Sequence, residues 1–221
     1  MSSPVLPVTG RTTFNRLPKR GTHERATIEG ILDEALFCHI GFVHDGQPFV
    51  LPTIHARVGA EIYVHGSAAG RMLRTLAGGT CLCLTATLLD GLVLARSAFH
   101  HSMNYRSVVV LGKAQLVSGD EERSLALRAI VEHVAPGRWD EVRWPNANEM
   151  KATHVLKLPL AEASAKVRTG GPLDDEEDYG LATWAGVVPL GLVAREPLAD
   201  PRLSSGTAMS PAVLAAARRG R

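Results

Sequence analysis

The chain has 221 residues, 45% of them hydrophobic, which is enough to bury a core without disulfide or metal staples. Lysine and arginine number 24 against 22 acidic residues, so the net charge of +2 excludes a global pull toward nucleic acid or an anionic membrane, and any anion binding must be local. Three cysteines exclude a disulfide framework, and no apolar run reaches the roughly 18–20 residues of a spanning helix. No signal-peptide pattern opens the chain, so a reducing, cytoplasmic location is expected.

Residues 1–20 carry Pro4, Pro7 and Pro18 and read as an extended lead-in rather than a packed element. From Thr22 the apolar residues Ile28, Ile31, Leu32 and Ala35 keep helical spacing, with Thr22 as N-cap and Glu24 in the first turn. The period then changes. Phe37 to Val43 is a short strand, Asp45-Gly46 a hairpin turn, and Phe49 to Val58 the return strand. Gly59 permits a turn before a strand from Glu61 to His65, and Ala69 to Ala77 forms a short helix ended by Gly78-Gly79.

Thr80 to Leu88 reads as a buried strand, with Cys81 and Cys83 on one face as small buried hydrophobes. A turn at Asp90-Gly91 leads to a further strand from Leu92 to Ala98, and Tyr105 to Val117 is a long strand broken by Gly112. Ser118 and Glu121 make a capping-box pattern for a helix carrying Leu127, Ile130, Val131 and Val134. Two strands follow, Thr153 to Leu158 and Glu162 to Arg168, and then an acidic solvated loop from Leu173 to Gly180. Ser210-Pro211 opens a terminal helix. Residues 1–20 thus form a lead-in, 21–190 the domain, and 191–221 a tail. Many hairpin-joined strands with few helices predict a mainly β fold with flanking α, an antiparallel barrel with peripheral helices.

The segment YVHGSAAGRMLRTL, Tyr63 to Leu76, carries the main chemical signal. A strand passes through Gly66 and Ser67 into a helix, with Ser67 as N-cap and free backbone N–H groups that attract phosphate. Arg71 lies near the first turn, where a cation opposes the helix dipole and makes sense beside a bound anion. The plain alternative is a surface arginine on a helix that packs through Met72, Leu73 and Leu76. No histidine spacing matches a metal site, and His100 and His101 point to opposite sides of a strand. Trp139 and Trp144 read as packing residues. Aromatics at 5% argue against a single-stranded nucleic-acid platform.

Together with MNYRSVVVLGKAQLV and SAKVRTGGPLDDEEDYGLATWAGVVPL, this segment resembles the pyridoxamine 5′-phosphate oxidase-like family of FMN-binding split barrels. The closer similarity is to its flavin-nucleotide-binding, nitroimidazole-resistance-type branch, from about Arg16 to Leu190. The resemblance implies an antiparallel split β-barrel that binds FMN at a homodimer interface. It places Leu51, Pro52, Thr53 and Ile54 along the flavin ring, His65, Gly66 and Ser67 by the ribityl-phosphate, and Arg71 on the phosphate. Tyr105, Arg106 and Ser107 match a segment given by the partner subunit, and Lys166, Arg168 and Trp184 match the C-terminal wall. Met72 stands where many relatives carry a lysine. Trp184 to Leu190 replaces an Arg-His-rich segment, which argues against pyridoxamine phosphate as substrate.

The implied function is an FMN-dependent oxidoreductase acting on a small molecule, with NADH or NADPH as electron donor. The alternative is a non-catalytic flavin- or haem-binding protein for storage, sensing or transfer, with His65 as the histidine nearest the cofactor. No residue stands out as a catalytic acid or base.

Overall fold

The computed structural model describes residues 3–220. Its first half contains β1 (Gly21–Thr22), α1 (Arg25–Glu34), β2 (Cys38–His44), β3 (Gln47–Thr53), β4 (His55–Val58), β5 (Glu61–Ser67), α2 (Arg71–Ala77) and β6 (Cys81–Leu94). The second half contains β7 (Ser102–Lys113), β8 (Gln115–Leu116), α3 (Asp120–Val134), α4 (Ala147–Ala152), β9 (Thr153–Pro159), β10 (Ala163–Arg168), β11 (Gly186–Pro189) and α5 (Pro211–Ala216). Every strand pairing is antiparallel. The larger sheet has the order β1-β10-β7-β6-β2-β3, with β11 on the far end of β6, and the smaller has β4-β5-β9-β8.

The two sheets share one core. Ile40, Leu84, Val108 and Val110 face inward from the larger sheet, and Ile62, Val64, Leu156 and Leu158 from the smaller. Helix α1 closes one end with Ile28, Ile31 and Leu32, as its spacing predicts, and α2 adds Met72, Leu73 and Leu76. A second apolar cluster lies on the other side of the smaller sheet. There Tyr63 and Val155 meet Ala126, Leu127 and Ile130 of α3 and the buried Trp139. Trp144 packs its ring 6.0 Å from that of Trp139 but stays exposed.

The β2–β3 hairpin turns as expected, with Asp45 at φ 50° and Gly46 at φ 75°, the left-handed pair a tight hairpin needs. The return strand is broken, however. β3 ends at Thr53 in the larger sheet, and β4 begins at His55 in the smaller one, so Ile54 carries the chain between sheets. The chain crosses again at Ala114, between β7 and β8, so the long strand ends at Lys113. Asp90-Gly91 is no turn either. β6 runs through it as a bulge, because β7 pairs with β6 on both sides of the irregularity.

Several caps fall elsewhere than the sequence suggests. Thr22 pairs in β1, and its Oγ1 accepts the Glu24 N–H at 3.1 Å, so the N-cap of α1 is Glu24. The N-cap of α3 is Gly119, without a side-chain bond. The capping box is at α4, where Asn146 Oδ1 accepts from the Asn148 and Glu149 amides. Cys81 is exposed and Cys83 half-buried, because Leu82 and Leu84 take the core face of β6. Cys38 is the buried cysteine, and burial pushes its thiol up to about 12.

The lead-in packs. Leu6 is in the core, Val5 bridges Glu24, and Thr9 and Arg11 hold Glu162. The tail packs as well. Ala212 at the start of α5 is buried, its amide donates to Glu141 Oε1 at 3.1 Å, and Ser210 Oγ donates to Glu141 instead of capping the helix. Among the described residues, no helix is long and apolar enough to cross a membrane.

Candidate functional site

The strand–turn–helix unit is present, with altered detail. β5 continues to Ser67, and α2 starts at Arg71 with Gly70 as N-cap. Ser67 is not the cap. Its carbonyl accepts the Gly70 amide at 2.8 Å and its Oγ the Ala69 amide at 3.3 Å, which closes a turn ahead of the helix. A Cβ on Gly66 would lie 2.8 Å from Leu73 Cδ2, so glycine lets α2 lie close against the end of β5.

Arg71 reaches across to the larger sheet. Its guanidinium lies 4.8 Å from the centre of the Phe49 ring on β3, and Phe49 stacks on Phe42 at 5.6 Å. Arg71 therefore links the α2 turn to the strand that carries Leu51, Pro52 and Thr53. Leu51 and Ile54 are exposed along that edge. Arg71 also borders a cavity of about 490 Å³ with His44, Arg74, Thr75, Gly78 and Thr80.

His65 points elsewhere. In register it pairs with Val155, whose side chain faces α3, whereas Gly66 pairs with His154 on the α2 side. His65 and His154 therefore face opposite sides of the smaller sheet. Each has an Nδ1 buried without a hydrogen-bond partner, and burial pushes the His65 imidazole below its ordinary value.

The other expected residues separate by strand parity. Ser107 pairs with Thr87 and Lys166, and Tyr105 with Leu89 and Arg168, so these side chains share the outer face of the larger sheet. Arg106 turns inward, where Asp90 and Glu34 both bind its guanidinium, Asp90 through two bonds of 2.8 and 3.0 Å. The two carboxylates raise its pKa and leave it fully paired. Lys166 Nζ lies 5.5 Å from the Phe14 ring centre. Arg168 is buried and donates to Asn104 Oδ1 and to the Gly170 and Gly171 carbonyls. Trp184 is exposed beside Gly186.

β3 lies three strands from β7, about 14 Å at the usual strand spacing, so one chain holds the Leu51–Ile54 edge and the Tyr105–Ser107 segment apart. The sequence reading missed Arg74, whose i+3 spacing from Arg71 was the available signal. It also missed a second cavity, of about 580 Å³, walled by Phe37, Leu89 and Leu192 over the Arg106–Asp90–Glu34 group. Nor is the acidic loop wholly solvated. The Asp174 side chain is fully buried against the Arg96 guanidinium and backbone amide, and a short helical turn follows at Glu176–Gly180. His100 lies in a turn rather than a strand, and one of its ring nitrogens comes within 4.8 Å of a carboxylate oxygen of each of Asp174 and Asp178. Arg96 already occupies both oxygens of Asp174.

Two antiparallel sheets around a shared core, with helices outside them, define a split-barrel protein. The profile of the pyridoxamine 5′-phosphate oxidase family matches residues 24–167, and the chain belongs to that family. The flavocytochrome Anf3 of Azotobacter vinelandii is 42% identical, with a TM-score of 0.88 over 94% of this chain and 96% of that one. The FAD and heme binding protein of Mycobacterium smegmatis is 34% identical, with a TM-score of 0.86 over 90% and 98%. A putative 5-nitroimidazole antibiotic resistance protein of Bacteroides thetaiotaomicron shares the fold at 24% identity, with a TM-score of 0.54 over 66% and 86%. No curated protein sequence matches. The likeness to the flavocytochrome includes part of the tail, since residues 1–190 alone cannot supply a 94% share.

Proposed function

We propose that the chain is a flavin- and haem-binding homodimer that passes electrons from a nicotinamide donor to a small-molecule acceptor. The observation that carries this reading is the line from the exposed Leu51–Ile54 edge to Arg71, whose guanidinium has no acidic partner among the described residues. A flat apolar ring fits the edge, and a phosphate fits the arginine. The two nearly full-length likenesses, one named a flavocytochrome and the other an FAD and heme binding protein, support the same pair of cofactors. FMN is the flavin implied by the sequence resemblance, and FAD the one named for the mycobacterial relative.

The chain's own groups fit both cofactors. Arg71 holds the flavin phosphate. His65 and His154 each offer a buried, unpartnered imidazole nitrogen of the kind a haem iron takes. Burial lowers the His65 imidazole below its ordinary value, which favours the neutral, ligating form. Because the two face opposite sides of β5 and β9, an iron takes one of them from this chain and not both. A bound flavin beside a bound haem supplies exchange between paired and single electrons, and the protein holds both and tunes their potentials.

The dimer supplies what one chain separates. Val43 and Val50 are exposed on the outer face of the larger sheet, beside Gly41, Cys83 and Thr85, where side chains are small. A second copy on that face brings its Tyr105–Ser107 segment toward the Leu51–Ile54 edge.

The test is the absorbance spectrum of the purified protein, followed by stopped-flow reduction with NADH and NADPH. Flavin bands together with a Soret band are expected. A colourless protein that takes up neither FMN, FAD nor haemin sinks the reading. Arg71→Ala should weaken flavin binding while leaving the dimer folded, and an unchanged affinity in a titration removes Arg71 from the phosphate site.

A further inference from the structure

The larger sheet has a gap, and the gap is a cavity. On one edge β6 pairs with β7 along its length. On the other edge β2 pairs with β6 up to Thr85, and β11 pairs with it from Gly91 onward. Among the described residues, no strand covers that edge from Ala86 to Leu89. Alternate residues of a strand direct their N–H and C=O to opposite edges, so backbone donors and acceptors of this stretch face the gap. The cavity of about 580 Å³ lies there, between Phe37 ahead of β2 and Leu190 to Leu192 beyond β11. The Leu190 amide donates to the Asp90 carbonyl at 3.0 Å and closes the gap at the β11 end.

The walls select the ligand. Phe37, Leu89, Leu190 and Leu192 are exposed apolar side chains that all border the cavity. Its acids, Asp90 and Glu34, are matched in number by the guanidiniums of Arg106 and Arg219, so the lining carries no net charge. Arg106 binds both carboxylates directly, and Arg219 donates to the His133 carbonyl at 3.4 Å. An ionised ligand would lose water among these walls and find no excess of opposite charge. None of the lining residues is His, Cys, Met or Tyr, so the cavity offers haem iron no axial ligand. Apolar walls with a few backbone polar groups, at this volume, are the make-up of a small-molecule site. Phe37 joins the cavity to the proposed flavin edge. Cys38 pairs with Thr53 and His39 with Pro52, so Phe37 stands at the Ile54 end of that edge, with its ring 5.5 Å from that of His39. The cavity thus begins where that edge ends.

We infer that this cavity is the site of the small molecule with which the flavin exchanges electrons, and that the molecule is an uncharged, largely apolar compound carrying an oxygen or nitrogen for the β6 edge. Its place beside the flavin rests on the flavin reading above. The preference for an uncharged ligand rests on the cavity alone.

The experiment is a calorimetric titration of the full-length protein, with the cofactors it carries on purification, using two probes. N-phenyl-1-naphthylamine is uncharged, and 1-anilinonaphthalene-8-sulfonate is the same skeleton with a sulfonate. The proteins are wild type, Leu192→Arg and Leu198→Arg. Leu192 and Leu198 are both exposed leucines on the tail, and of the two Leu192 lines the cavity. Wild type should bind one uncharged probe per chain, at least about tenfold more tightly than the sulfonate. Leu192→Arg should weaken the uncharged probe about tenfold, the value of one apolar side chain, and should tighten the sulfonate. Leu198→Arg should change neither. The uncharged probe should also shift the flavin absorbance bands as it saturates, without releasing flavin. Equal affinity for the two probes, no saturable binding at one per chain, or indifference to Leu192→Arg overturns the inference while the flavin reading stands. So does flavin released by the probe, or flavin bands that stay unmoved. A Leu192→Arg protein that light scattering shows to be a monomer makes these leucines a dimer interface and overturns it too. A chain that binds the uncharged probe as described but takes up no flavin overturns the flavin reading and keeps the cavity as a site for uncharged ligands.

Discussion

His55 should make the fold sensitive to mild acid. It is the first residue after Ile54 carries the chain between sheets, and its side chain is wholly buried. Its Nε2 lies 2.9 Å from the Leu32 carbonyl of α1, so Nε2 carries the proton and donates. Nδ1 is buried with no partner, and the His133 ring of α3 lies 5.1 Å away. Burial, with repulsion from His133, lowers the imidazole from 6.5 to about 4. The unfolded chain therefore takes up a proton below pH 6.5 while the folded chain refuses it until about pH 4. Stability is lost on acidification through that window. Linkage gives a loss of about 2 kcal/mol between about pH 7 and pH 5 from this group. Glutamine keeps an N–H donor for the Leu32 carbonyl and does not titrate. Urea melts of wild type and His55→Gln at both pH values isolate the effect, because the other histidines are common to both. Wild type should lose about 2 kcal/mol more than the variant. Equal losses would refute the buried neutral imidazole. The carboxylates held low by partners, such as Glu149 at about 2, do not confuse the comparison, since they lose their partners' benefit only below the ordinary carboxylate value.

Two further outcomes follow from the site's surroundings. Val50→Asp places a charge on an exposed position of β3's outer face, so light scattering should show a dimer becoming a folded monomer; a variant that stays dimeric moves the interface off this face. Arg168→Met leaves Asn104 Oδ1 and the Gly171 carbonyl without their donor, while Asn104 Nδ2 still donates to the Gly170 carbonyl, and should lower unfolding free energy by about 3 kcal/mol in a denaturant melt, whereas a surface role would cost well under 1 kcal/mol.

The parts of the fold set by short-range pattern were legible. The α1 stripe, the Asp45-Gly46 hairpin and the β5–α2 unit depend on spacing and turn chemistry within a dozen residues. The failures came where a distant partner decides. Thr22 has the chemistry of a cap, but β10 pairs with it and draws it into a strand. Asp90-Gly91 has the chemistry of a turn, but β7 holds β6 straight through it and β11 pairs along the far end. Pro52 and Ile54 look like one strand with Val58, yet the two halves belong to different sheets.

The site was legible in its residues more than in their directions. Tyr105, Arg106 and Ser107 were expected together at the cofactor. On a strand, three consecutive residues cannot share a face, so one of them had to turn away. Which one turns depends on which face of β7 is the core, and Val108 and Val110 settle that by burial. They put Tyr105 and Ser107 outside and Arg106 inside, where two carboxylates consume its charge. The same parity turns His65 toward α3, away from the phosphate turn it shares in sequence. Charge that lacks a partner is then the better guide. Of the arginines near the expected cofactor, Arg106 is fully paired by two carboxylates and Arg168 is held by Asn104 and two carbonyls, while Arg71 and the overlooked Arg74 have no acidic partner among the described residues.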